Sequence, residues 1–168
     1  MKALLLLTLL LCFVVRLEAQ HFQLVSQDFF DNAITTAVPA ADGGFFAAAY
    51  LGNPGWVFSQ ATLSHYDTAG NELWRINLPG VERTIVTDLM PLTDGSVVVC
   101  GYTEGCDIGF SGFIGRCDAD GVLLWHLMED WGNPLPFDLP YLYALSPGIN
   151  GEIYAMAYEG LMAFNLET

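Results

Sequence analysis

Lysine is almost absent from this sequence: Lys2 is the only one, and the 168 residues hold five basic side chains against nineteen acidic ones. The formal charge is −14; without residues 1–19, which take Lys2, Arg16 and Glu18 with them, it becomes −15 and only Arg75, Arg83 and Arg116 remain. A surface of that sign repels phosphate backbones, which excludes nucleic acid and anionic membrane surfaces as partners. The acids are scattered, with no acidic tail and no low-complexity tract. The acidity therefore reads as solubility outside the cytoplasm rather than as specific cation binding. Also missing are a Gly-rich phosphate loop, zinc-ligand spacing and a Gly-x-Ser-x-Gly elbow. No catalytic residue, no metal ligand and no cofactor is expected from these patterns.

Long apolar runs are confined to the N-terminus. MKALLLLTLLLCFVV carries one Lys and then an apolar stretch from Ala3 to Val15, interrupted by Thr8 alone and followed by Ala19 in LEAQ. That segment is short for a bilayer span and has the flanks of a cleaved secretory leader, so residues 1–19 are expected to be removed and Gln20 to start the mature chain. A lipoprotein reading with Cys12 as the lipidated residue is disfavoured, because Leu11 occupies a place where a small residue is needed. The expected address is secreted or cell envelope, with no membrane insertion after leader removal.

Three cysteines then remain, Cys100, Cys106 and Cys117. An odd count allows at most one intramolecular bridge. Cys100 with Cys106 would close a short loop, Cys100 with Cys117 would link neighbouring strands, and spacing does not choose between them. Buried small apolar residues plus at most one bridge is the preferred reading.

What the chain does contain is a repeat. Pro39, Asp42-Gly43 and Tyr50 recur at an offset of 52 as Pro91, Asp94-Gly95 and Tyr102, and at a further 56 as Pro147, Asn150-Gly151 and Tyr158. A second motif, YDTAGNELW at 66–74, returns as CDADGVLLW at 117–125. Such a period is the mark of a repeat architecture. Each unit predicts a run of short strands. One precedes the Pro, as in Thr84–Leu89 and Leu139–Leu145; Pro-x-x-Asp/Asn-Gly forms a turn; and an apolar run from Phe45, Val97 or Ile153 returns. A third strand is expected at Ala61–Tyr66, Gly112–Cys117 and Leu161–Asn165. Asp67 to Gly70 and Asp118 to Gly121 are hairpin turns in which the Asp accepts from following backbone N–H groups and the Gly takes positive φ. Trp74 and Trp125 stand early in a fourth strand, placed to fill the gap between one twisted sheet and the next. The apolar runs are continuous rather than alternating, which suits strands covered on both faces.

This pattern of Asp-x-x-Gly-x-x-x-Trp after an apolar strand resembles the blade repeat of secreted bacterial β-propellers, especially exported proteins of the Bacteroidetes type. It is similar, too, to the tryptophan-docking repeat of the quinoprotein (PQQ-like) propeller superfamily. The third copy runs on through Ala163-Phe164-Asn165-Leu-Glu-Thr168, which looks like that superfamily's Ala-x-Asp-x-x-Thr-Gly lead-in. The resemblance covers about residues 31–168. It implies an all-β chain of four-stranded blades: blade 1 at about 31–80, blade 2 at about 81–132 and a partial blade 3 at about 133–168, with Asp67, Gly70, Trp74, Asp118, Gly121, Trp125, Tyr50, Tyr102 and Tyr158 as the structural blade motif. Closed propellers have about 4–8 blades, so three make an incomplete ring. The expectation is the N-terminal part of a longer propeller, completed by further blades, or else a fragment that completes a ring by self-association.

Weighed residue by residue, the chemistry is sparse. Asp118-Ala119-Asp120-Gly121 matches a fragment of a calcium loop, but the remaining ligand positions are missing and a structural turn is expected. His65 and His126 fall at near-equivalent places in two units without a recognisable partner, and are expected to be surface histidines. The loop Thr103–Gly109 and the aromatic-rich stretch Trp131–Phe137 are where a binding surface could lie. The leading expectation is an exported non-enzymatic β-propeller acting as a binding or cell-surface interaction module, whose partner, protein or glycan, the residues do not identify. Part of a quinoprotein-like oxidoreductase and an envelope-assembly scaffold are the alternatives.

Overall fold

The computed structural model describes residues 32–51, 60–80, 83–105, 109–128 and 139–165. The expected leader, Cys106 and the stretch Trp131–Phe137 lie outside them. The described chain is all-β: eleven strands in three antiparallel sheets of four, four and three, none of them closed. The first sheet is β1 (Asn32–Pro39), β2 (Phe45–Leu51), β3 (Gln60–Tyr66) and β4 (Glu72–Asn77). The second is β5 (Arg83–Pro91), β6 (Val97–Gly105), β7 (Gly109–Cys117) and β8 (Leu123–Met128). The third is β9 (Leu142–Pro147), β10 (Glu152–Ala157) and β11 (Gly160–Asn165). Every strand pairs with its sequence neighbour, so each sheet is a simple meander.

Local chemistry accounts for the turns. In the first hairpin of each four-stranded sheet the Gly43 N–H bonds the Ala40 carbonyl and the Gly95 N–H bonds the Leu92 carbonyl, with φ near +89° and +84° at the glycines. Asp42 Oδ1 accepts from the Gly44 N–H at 2.9 Å, and Asp94 Oδ1 from the Ser96 N–H at 3.0 Å. In the last hairpin the aspartate stands first: Asp67 Oδ1 accepts from Ala69 and Asn71, and Asp118 Oδ1 from Asp120 and Val122, at 2.8–3.0 Å. The prolines were expected inside the turns and are not there. Pro39, Pro91 and Pro147 are the last residues of their strands, opposite Phe45, Val97 and Ile153. A strand-end position needs no N–H from proline, which is why the ring is tolerated.

The sheets stack in sequence order. β5 lies over β1, β2 and β3 of the first sheet, and β9 over β5, β6 and β7 of the second. One apolar cluster joins Phe46, Leu63, Val86, Val97 and Phe113 between the first two sheets; another joins Val98, Ile114, Leu142 and Ile153 between the second and third. The middle sheet is thus covered on both faces, and Val97, Val98, Val99 and Cys100 are buried in succession. Burial of each such side chain is worth about 1.5–3 kcal/mol, which explains a strand without alternation.

Three features were not legible in the sequence. Each first strand is bulged at the same place, by Thr35, Thr87 and Tyr143. Thr87 Oγ1 donates to the Leu142 carbonyl at 2.7 Å and Asp88 Oδ2 accepts from the Leu145 N–H at 2.7 Å, so the bulge of β5 pins β9. The strand expected at Leu139–Leu145 begins later, at Leu142, because the Leu139 carbonyl accepts from the Gly112 N–H of the second sheet at 2.7 Å. Tyr158 was expected to close a strand and instead sits in the tight β10–β11 turn, since Ala157 already pairs with Gly160.

Candidate functional site

The two ends of the sheets differ. One end is made of the Asp-Gly turns just described, each held by its own aspartate. The other collects the starts of β5 and β9, the ends of β6 and β10, and residues 139–141 leading into β9. There Tyr102 of β6 lies against Tyr141 with ring centroids 4.6 Å apart, and Tyr141 meets Tyr143 of β9 edge-on at 6.3 Å. Arg83 and Glu104 face each other across β5 and β6, with Nη1 to Oε2 at 2.8 Å. A concavity of about 290 Å³ opens beside them, lined by Pro140, Tyr141, Tyr143, Tyr158 and Glu159. The Tyr158 N–H bonds the Tyr141 carbonyl at 3.2 Å, which ties the β10–β11 turn to this rim.

Burial first, then the charge of Glu104, raises the phenol of Tyr102 and of Tyr141 above the ordinary tyrosine value. Both stay protonated at neutral pH, as hydrogen-bond donors rather than nucleophiles. Chemically the cluster offers aromatic faces, phenol O–H groups and one lining carboxylate, Glu159, a combination for holding a flat or cationic group rather than for breaking bonds. Of the residues singled out from sequence, Tyr102 and Tyr158 come to this end, and the loop Thr103–Gly109 begins at it. Tyr141 and Tyr143 were missed; their alternate spacing just after the aromatic-rich stretch was the available signal.

The motif residues elsewhere make joints. Trp74 Nε1 donates to the Ala119 carbonyl at 2.7 Å, and its ring covers Gly121, where a Cβ would come within 2.8 Å of Cδ2. The tryptophan of the first sheet and the Asp118–Gly121 turn of the second are therefore one contact. Trp125, on β8, has a buried Nε1 with no acceptor among the described residues. Tyr50 is the next-to-last residue of β2 in the first sheet and does not line the concavity.

His65 corrects an expectation. It is not a surface side chain: it is buried, stacked on Phe46 with centroids 4.4 Å apart, and its Nε2 stands 3.3 Å from Asp42 Oδ2. The register that opposes Phe46 to His65 turns the imidazole inward. The second sheet repeats the pairing with an arginine in place of the histidine, Arg116 Nη2 to Asp94 Oδ2 at 2.6 Å. His65 is thus a strand-to-turn strut, and His126 is exposed. The Gly44 N–H foremost, and His65 after it, hold the Asp42 carboxyl below its usual value; the Ser96 hydroxyl does most for Asp94, and Asn71 for Asp67. Groups with depressed folded values stabilise above their unfolded value, 3.8, and lose that contribution as pH falls through the folded one. Thermal stability should therefore drop on acidification below about pH 4, with a shallower decline in Asp94→Asn; a decline as steep as that of the unsubstituted chain would count against the turn carboxylates.

Cys100 and Cys117 are both free and buried. A bridge between them is excluded by the pleat: Cys117 opposes Val97 and faces the first sheet, whereas Cys100 opposes Ile114 and faces the third. Burial pushes both thiols up to about 12. In native protein at pH 8 neither should react with a thiol reagent over minutes, and both should react at once in denaturant, as peptide mapping after alkylation would read.

Among the described residues no group of three or more His, Cys, Asp or Glu could hold a metal ion, and no helix is long and apolar enough to cross a membrane. Compared with known proteins, the chain matches no family model and no curated sequence.

Proposed function

We propose that this chain is a run of β-propeller blades, exported from the cytoplasm, whose loop end binds a protein or glycan partner without chemistry of its own. The observation that carries the binding reading is the contrast between the sheet ends: self-satisfied Asp-Gly turns at one, the tyrosine concavity with Glu159 on its lining at the other. Sites that bind are placed on connections held by a rigid scaffold. Support for blades comes from the stacked antiparallel meanders and from the indole of one sheet docking on the last turn of the next. The leader-like residues 1–19 support export.

The test is binding of the purified chain to arrayed oligosaccharides and to arginine-rich peptides, beside Tyr141→Ala/Tyr143→Ala/Tyr158→Ala. These side chains are partly or largely exposed, so the triple variant should keep its melting temperature within a few degrees while affinity falls about tenfold or more. Binding that is unchanged in the triple variant, or absent toward both ligand classes, would sink this reading.

A further inference from the structure

The two outer faces of the stack are the two halves of its internal joints. In the first joint the donor face presents Ala48 opposite Leu63, and in the second Cys100 opposite Ile114. The same place on the third sheet holds Met156 opposite Leu161. Leu63 and Ile114 are 0% exposed, yet Leu161 is 68% and Met156 52% exposed. The receiving halves correspond in the same way. The residue just before the strand bulge is Val86 in the second sheet and Leu142 in the third, both buried; in the first sheet it is Ile34, 46% exposed. Ile34 borders an apolar concavity of about 390 Å³ with Ala37, Phe45 and Ala47.

We infer that the third sheet of one copy seats on the first sheet of a second copy, head to tail, continuing the joint already made twice within each chain. Leu161 and Met156 take the role of Ile114 and Cys100, and the concavity at Ile34 takes that of the Val86 surface. The occupant is another copy because the receiving face it needs is carried by this chain. Both copies are acidic, so apolar contact works against charge repulsion and association strengthens with salt. Because the two faces differ, the contact is heterologous and either closes or runs on. Closure into a dimer rests on the propeller reading above: two copies bring twice three sheets, inside the range of about 4–8 for closed rings.

The test is solution mass by light scattering across concentration, for the chain itself, Leu161→Glu, Ile34→Lys and an equimolar mixture of the two variants. Both sites are exposed, so each variant should fold and its melting curve serves as control. Each substitution alone should weaken association about thirtyfold or more. The mixture should recover part of it, because it allows one unaltered joint and sets Glu against Lys at the other. A monomeric parent chain overturns the inference, as does an oligomer that responds to only one substitution, or one that ignores both. Mass that grows without limit and answers to both substitutions supports the docking while refuting the closed propeller.

Discussion

Trp74→Ala should cost about 3 kcal/mol of unfolding free energy, the lower end for removing a large aromatic, since the ring is only partly buried. Three contacts go at once: the packing against Phe46 and His65, the cover over Gly121, and the bond from Nε1 to the Ala119 carbonyl. Trp74→Phe separates them. It keeps most of the apolar contact and gives up the hydrogen bond, for a loss of about 1 kcal/mol. Urea unfolding followed by circular dichroism reads both. Equal losses in the two variants would mean that the hydrogen bond, not ring packing, holds the joint; no loss in either would remove Trp74 from the account of how the first two sheets are fastened.

The second large effect belongs to the other joint. Gly112 lies where β7 of the second sheet passes under residues 139–140; its N–H bonds the Leu139 carbonyl, and a Cβ would stand 2.1 Å from the Pro140 carbonyl oxygen. Backbone cannot yield as a flexible side chain does, so Gly112→Ala must lift the segment that leads into β9. A loss of about 3 kcal/mol is expected, at the upper end for overpacking. The damage should be local. Hydrogen exchange should quicken at the amides of β9 and β10 while β2 and β3 remain protected. Uniform loss of protection across all three sheets would show instead that the stack unfolds as one unit and that the joints are not separable.

Acid sensitivity, by contrast, tests a local matter that the turn pattern itself implies. Asp42, Asp67, Asp94 and Asp118 sit at turn positions that sequence pattern alone picks out, because an aspartate reaches its own following N–H groups within two to four residues and Gly supplies the positive φ. The third strands were legible to within three residues at their starts for the same reason. Local steric and hydrogen-bonding preferences act over a few residues, and the apolar runs between turns leave little choice but strand.

An all-β chain, the Asp-Gly turns of the first two sheets and the continuous apolar runs of a middle sheet covered on both faces were legible in the residues alone. Which side chains meet came from the packing of the strands: Trp74 on Gly121, His65 inward against Asp42, Tyr102 on Tyr141, and Cys100 and Cys117 turned to opposite faces. The physical reason is register. A shift of one residue sends every side chain of a strand to the other face, and the bulges at Thr35, Thr87 and Tyr143 make such a shift in the first strand of each sheet. No pattern in a single sequence announces those bulges, and the joints between sheets unite residues more than forty positions apart.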